Sequence, residues 1–236
     1  MAKKSWRIAK KMKMLLQPIL SLFGLNIIHK IPARSILQKL DPAIIIDVGV
    51  ATGTDFLINN YPDSYYYLIE PNPRYHSFIR NKLLAKVQGE LLPVGAGPVD
   101  AELHLYDAKK ASSFLFRDWD KFKDAEKILV PVKTLDGLLS KVTINDHESG
   151  ASILLKIDTE GFELGVLKGS QNLIRIKQLR WIIVETRLTG IDTYNASELI
   201  SILFAMGFEW DSVINIGDKP HGVNYLDILF RRTTDL

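Results

Sequence analysis

Cysteine is absent from all 236 residues. That rules out a disulfide framework, a thiolate metal site and a cysteine nucleophile, and it fits a reducing compartment. Long apolar runs are absent too. The best candidate, Met14 to Ile28, has 15 residues and is interrupted by Gln17, Pro18, Ser21 and Asn26, which is short for a membrane span. Residues 1–30 have no negative charge. They carry Lys3, Lys4, Arg7, Lys10, Lys11, Lys13 and Lys30 without one Asp or Glu, so seven of the 30 basic residues lie there and 23 remain to face all 27 acids. The rest of the chain is therefore mildly acidic, and the sequence pI of 8.9 is no argument for nucleic-acid binding. Finally, no G-x-G-x-x-G run and no glycine loop ending in Lys-Ser or Lys-Thr occurs, which counts against a pyrophosphate cradle.

The first thirty residues are basic and then apolar, the order of a signal peptide, yet no convincing small-x-small cleavage site follows. Residues 1–40 are read as a helical extension and 41–236 as one domain. The preferred reading packs the extension on the domain with its basic end solvated. The alternative lays it on an anionic membrane surface, giving a cytoplasmic protein in peripheral contact with the inner membrane face.

From residue 43 onward, short apolar runs alternate with helical patterns. "AIIIDVG" (43–49), "YYYLIE" (65–70), "SILLKID" (152–158) and "LRWIIVE" (179–185) read as buried strands, and "LLPVGAG" closes a third strand region. "NPRYHSFIRNKLLA" (72–85), "GFELGVLKGSQNLI" and "NASELISILFAMGF" read as helices, the last with Asn195 and Glu198 as a capping box. "AELHLY" (101–106) alternates like an antiparallel excursion, and "ILVPVKTLDGLL" reads as a strand followed by a helix start that Thr134 or Asp136 caps. Residues 109–127 read as an irregular cover over a site or a surface loop. "FEWDSVINI" and "NYLDILFRR", joined by "GDKPHG", form a terminal hairpin. The pattern implies an α/β, doubly wound, mostly parallel sheet with helices on both faces and an antiparallel C-terminal hairpin.

Ligands on such sheets sit outside the carboxyl ends of the strands. Asp47, Glu70, Asp158 and Glu185 close four of these strands, with Glu160 just beyond. An acid at the end of an apolar strand is costly unless it is solvated in a cleft or paired, so four of them point to a shared polar cleft. In "DVGVATGTDF" (47–56), Gly49 and Gly53 allow a tight turn and close backbone approach, and a packing turn is an equal reading of that loop alone. Glu70 lies 23 positions after Asp47, the spacing at which an acid accepts ribose hydroxyls; capping the helix after Pro71-Asn72-Pro73 is the rival role. Lys156 is expected to pair with Glu185 or with the Asp158 cluster. Glu163 is expected in the first turn of its helix, where an acid complements the dipole.

These segments resemble the FkbM-type family of S-adenosylmethionine-dependent methyltransferases over residues 43–230. The resemblance is carried by "DVGVATG", "IEPNP", "PVGAGPVDAELHLY", "VPVKTLDGLL", "LLKIDTEGFELGVLKGS", "IIVE" and "ELISILFAMGF". It implies a class I, Rossmann-like fold with a seven-stranded sheet, and S-adenosyl-L-methionine as methyl donor. The acceptor it implies is a hydroxyl of a sugar, glycolipid or polyketide-like small molecule. It further implies a donor site at Asp47, Gly49, Ala51, Gly53, Glu70, Pro71, Val94, Gly95 and Asp158, with Asp158 as first choice of base and Glu160 as second. Ser112, Ser113, Glu185 and His221 are assigned to the acceptor. A divalent metal shared with Glu185 is the alternative use of these acids, and no metal site is assigned. The family usually has Asn where this chain has Ala51, so a side-chain contact to the donor is lost or passes to Thr52 or Thr54. That departure favours a rival reading, a non-catalytic binding protein that keeps the fold and is tethered to a membrane through residues 1–30. A nicotinamide-dependent oxidoreductase is disfavoured by the missing pyrophosphate glycines and the final hairpin.

Overall fold

Three consecutive isoleucines followed by Asp-Val can only be satisfied by a strand covered on both faces. In the computed structural model Ile44–Val48 forms such a strand, β1, with every residue buried. The structure describes residues 33–53, 55–109, 112–115, 125–140, 150–189, 193–219 and 222–233. The N-terminal extension expected over 1–40 lies outside them except for its last residues. There Ala33–Leu37 forms α1, with Ile36 and Leu37 in the core. No described helix is long and apolar enough to cross a membrane.

After β1 come α2 (Asp55–Asn60), β2 (Tyr65–Ile69) and α3 (Pro73–Phe78), which runs on into a π-helical turn at Ile79–Leu83. Asn72 caps α3 by accepting from Arg74 N–H, and Pro73 starts it, where a missing amide costs nothing. β3 (Gln88–Leu92), β4 (Gly95–Ala96), β5 (Ala101–Asp107) and β6 (Glu126–Lys133) follow, then α4 (Leu135–Leu138) and β7 (Ile153–Ile157). The last part comprises α5 (Glu163–Lys168), α6 (Gln171–Arg175), β8 (Leu179–Arg187), α7 (Ala196–Ala205), β9 (Phe208–Lys219) and β10 (Gly222–Arg232).

Seven strands form one sheet in the order β3-β2-β1-β7-β8-β10-β9. The first five run parallel, and β10 is antiparallel to both neighbours. The fold is the expected doubly wound, mostly parallel α/β sheet with an antiparallel C-terminal hairpin, the arrangement of class I methyltransferases. Alternation along each strand sorts the core into two layers. Ile44, Ile46, Leu155, Ile182 and Ile228 face α5, α6 and α7, whereas Ile45, Leu154, Ile183 and Leu229 face α1, α2 and α3.

The hairpin makes one edge of the sheet antiparallel, as read from the sequence, with β10 between β8 and β9 and β9 outermost. Two details differ from the sequence reading. The segment "GFELGVLKGSQNLI" is two helices, not one. It breaks at Gly169, where a Cβ would lie 2.0 Å from the Gly97 carbonyl oxygen. The strand in "ILVPVK" does not join the main sheet; as β6 it pairs with β5 and β4 in a separate three-stranded sheet. Thr134 caps α4, while Asp136 accepts from the Asn172 and Leu173 amides and so caps α6.

Candidate active site

The second core layer does not stay apolar to the strand ends. The columns bearing Ile45, Leu154, Ile183 and Leu229 continue to Asp47, Lys156, Glu185 and Asp227. Strand register puts Asp47 beside Lys156, Asp227 beside Glu185, and Asn215 beside Asp227. A polar row thus crosses the sheet where its carboxyl ends meet solvent, at the switch between β1 and β7 where such folds bind ligands. A cavity of about 460 Å³ opens over it.

The β1 end supplies one wall. Gly49 (φ 85°), Ala51 (φ 47°) and Gly53 (φ 101°) adopt the left-handed region. Gly49 has no room for a side chain, since a Cβ would lie 1.8 Å from the Asp158 carbonyl oxygen. Asp158 N–H donates to the Val48 carbonyl oxygen at 3.0 Å, so the two strand ends are clasped together. Glu70 fixes the turn: its Oε2 accepts from Ala51 N–H at 2.7 Å and its Oε1 from Asn72 N–H at 2.8 Å. Burial pushes the Glu70 carboxyl up to about 7 despite these two amides. Pro71, Gly95 and Ala96 continue this wall.

The β7 end carries the charge. The buried Lys156 ammonium lies 3.2 Å from Asp47 Oδ1 and 3.3 Å from Asp158 Oδ2. Burial works against the cation, but Asp158 and Asp47 outweigh it and hold the lysine pKa above its ordinary value. Asp158 itself is one-third exposed and lines the cavity. Beyond it Glu160 (φ 55°) turns the chain and pairs with Arg187. Glu163, fully buried in the first turn of α5, holds this turn from behind. Its Oε1 accepts from Thr159 N–H, Thr159 Oγ1 and Gly161 N–H, and the Tyr194 hydroxyl donates to its Oε2 at 2.7 Å.

The β8–β10 side closes the cavity. Glu185 Oε1 lies 2.8 Å from Arg187 Nε, close enough to pair electrostatically but off the line that a hydrogen bond requires. Burial, reinforced by the Asp158 charge, raises the Glu185 carboxyl well above the usual range, against the pull of Arg187. Asp227 accepts from Asn215 Nδ2 at 3.1 Å, and burial together with Asp158 pushes it up to about 6. The Arg187 guanidinium sits 5.8 Å from the Tyr225 ring centroid.

Residues that follow β5 also line the cavity. Asp107, at the end of β5, accepts from Asn72 Nδ2, from Arg74 Nε and Nη2, and from the Ser112 hydroxyl. The Ser113 hydroxyl donates to the Glu160 carbonyl oxygen at 2.9 Å.

Of the residues singled out in the sequence, Gly49, Ala51, Gly53, Glu70, Pro71, Gly95, Ser112, Ser113, Asp158, Glu160 and Glu185 line one cavity. Asp47 lies behind it as the anchor of Lys156. Val94 packs on the hydrophobic core instead of lining the cavity, because the chain has turned by Gly95. Lys156 pairs with Asp47 and Asp158 rather than with Glu185. His221 and Thr54 lie outside the described residues. Arg187, Tyr225 and Asp227 were missed. The alternation of "NYLDILFRR" places Tyr225 and Asp227 on one face with Leu229 without singling them out, and Arg187 ends β8, two residues past Glu185, with no signal of its own. No cluster of three or more His, Asp or Glu arranged to hold a metal occurs among the described residues.

A doubly wound sheet ending in an inserted antiparallel strand, with an acid-lined cavity at its switch point, has the architecture of a class I methyltransferase. The family model described as Methyltransferase FkbM domain matches residues 47–210, more than half of the chain, and the chain belongs to that family. Among solved structures it is similar to a methyltransferase FkbM from Methylobacillus flagellatus KT, at 13% identity and a TM-score of 0.46. That alignment covers 80% of this chain and 43% of the other, so the chain spans less than half the length of that relative. It is also similar to a magnesium protoporphyrin IX methyltransferase from Synechocystis PCC 6803 solved with bound SAM, at 10% identity, a TM-score of 0.46 and coverage of 85% and 78%. A third is 1,6-didemethyltoxoflavin-N1-methyltransferase from Burkholderia thailandensis, at 12% identity, a TM-score of 0.44 and coverage of 85% and 76%. No curated protein matches the chain.

Proposed function

We propose that residues 41–236 form an S-adenosylmethionine-dependent O-methyltransferase domain acting on a hydroxyl of a sugar, glycolipid or polyketide-like small molecule. The observation that carries this reading is the cavity itself: a backbone-lined turn with a ribose-type acid on one side, and an ion-paired carboxylate on the other. The residues fit the donor. Gly49 and Gly53 are required for the turn to pack, against the Asp158 carbonyl and the Leu83 side chain, and both line the cavity; Glu70 retains acceptor capacity beyond its two amide bonds. Gly49, Ala51, Gly53, Glu70, Pro71 and Gly95 would hold it. When bound, the donor supplies an electrophilic methyl group on a sulfonium.

The protein's remaining tasks are to align the acceptor oxygen and to take its proton. Asp158 is the base in this reading, since its carboxylate reaches the cavity while Lys156 fixes its position. An Asp158 oxygen would take the acceptor hydroxyl's proton as the hydroxyl oxygen displaced the donor sulfur from the methyl, the sulfur leaving as a neutral thioether. Glu160, locked to Arg187, orients the acceptor. Calorimetric titration with S-adenosylhomocysteine tests the donor site, and micromolar binding is expected. Asp158→Asn is expected to keep that binding within a few-fold and to lower turnover by roughly 10²- to 10⁴-fold. Failure of the folded wild-type protein to bind S-adenosylhomocysteine would overturn the proposal and leave a non-catalytic binder.

A further inference from the structure

Phe114 takes no part in the proton chemistry, yet its half-buried side chain lines the cavity. Its ring lies on the Gly95 backbone. A Cβ at Gly95 would stand 2.5 Å from the ring's Cζ and 3.0 Å from its Cε2, so the ring can be there only because Gly95 has no side chain. Phe162, just ahead of α5, braces it, with ring centroids 5.2 Å apart and planes at 59°. The neighbouring residues are pinned as well. The Ser112 hydroxyl donates to Asp107, the Ser113 hydroxyl to the Glu160 carbonyl oxygen, and Leu115 N–H to Ser113 Oγ at 3.1 Å. An aromatic ring held in this way and still open to a cavity is preorganised for a flat ligand.

Glu70 relates this ring to the donor. The Leu92 carbonyl oxygen, at the end of β3, accepts from Glu70 N–H at 3.2 Å and from Val94 N–H at 2.9 Å. Gly95 comes next along the chain, so the backbone under the ring is tied to the backbone of the ribose-type acid. S-adenosylmethionine carries its sulfur and its purine at opposite ends of the ribose. With the ribose at Glu70, after β2, and the sulfur directed to Asp158, after β7, the order β3-β2-β1-β7 leaves the β3 side for the purine. That side of the lining offers Pro71, Gly95 and Ala96, and Phe114 closes over Gly95. A purine presents flat π faces that pack well on an aromatic side chain. Tyr75, the other aromatic near Glu70, is 7% exposed and packs into the core. Phe114 is therefore the ring available to the base.

We propose that Phe114 is a donor-binding residue whose ring packs against the adenine, so that a side chain outside the segments that carry the family resemblance recognises the purine. This rests on the donor side of the function proposed above and names the residue that holds the base.

The test is NMR titration of the wild type, Phe114→Leu, Phe114→Ala and Phe114→Tyr with S-adenosylhomocysteine and with adenosine. Phe114→Leu keeps apolar bulk and removes the aromatic ring. It is expected to weaken both ligands by the same factor, roughly ten-fold or about 1.4 kcal/mol, while the melting transition stays cooperative. Phe114→Tyr keeps the ring and is expected to bind within about two-fold of the wild type. The adenine proton signals of the bound ligand should be displaced by the Phe114 ring current in the wild type, and that displacement should shrink in Phe114→Leu. If Phe114→Ala fails to fold, the Leu and Tyr variants decide. Wild-type affinity in Phe114→Leu overturns the proposal. So does a loss as large in Phe114→Tyr as in Phe114→Leu, or a loss confined to S-adenosylhomocysteine while adenosine binds unchanged. Each of these outcomes leaves the donor reading standing. No S-adenosylhomocysteine binding by the folded wild-type protein would instead sink the donor reading, and this inference with it.

Discussion

At the scale of single residues, the site is built from carboxylates held at different cost. Burial above all raises Glu70 to about 7 and Asp227 to about 6, and lifts Glu185 well above the ordinary range. A raised carboxyl keeps its proton in the folded state after the unfolded chain has released it. Its stabilising contribution is therefore complete below the ordinary carboxylate range and is lost as pH rises through the folded-state value. The melting temperature is expected to fall as pH climbs from about 5 through the values of Asp227 and Glu70, and to keep falling on the alkaline side because of Glu185. Glu185→Gln should flatten that alkaline part, which a thermal scan across pH would reveal. Asp47, Glu70, Asp158 and Glu185 were legible in the sequence because a carboxylate ending an apolar strand has few tolerable surroundings. Asp227 and Tyr225 were not, because their strand alternates like any half-buried strand. Only the pairing of Asp227 with Glu185 and of Tyr225 with Arg187 turns them toward the cavity.

At the scale of elements, the Glu70 side of the cavity is tied to the small sheet through Asp107. Asp107 holds Asn72, Arg74 and Ser112, and Asn72 in turn donates its backbone amide to Glu70. Asp107→Ala would release Ser112 and the start of α3 together. Hydrogen bonds to a charged group contribute about 1.5–3 kcal/mol each, so S-adenosylhomocysteine affinity is expected to weaken about ten-fold or more. Calorimetry on the variant checks this, and unchanged affinity would reduce this link to surface structure. The apolar runs revealed β1, β2, β7 and β8 because burial on both faces leaves no other pattern. The small sheet was not legible as such. The burial of β6 alternates and its sequence resembles a βα unit, and nothing local tells it to pair with β5 rather than join the main sheet.

At the scale of the whole molecule, one strand completes the cavity. β10 lies between β8 and β9 and brings Tyr225 and Asp227 to the cavity. It is also the last of the described strands along the chain. During synthesis β8 and β9 thus emerge with the strand that separates them still missing, and each has an unpaired edge. A nascent chain stalled before Gly222 is expected to be cut readily by protease within β8, and one extended by a linker that carries Arg232 clear of the ribosome to resist; equal protection in both would show that β8 is ordered earlier. The glycine turn after β1 and Glu70 after β2 are translated long before this. The order of translation therefore separates the two walls of the cavity in time: a ribosome-bound chain carries the glycine turn and Glu70 before Tyr225 and Asp227 exist to face them.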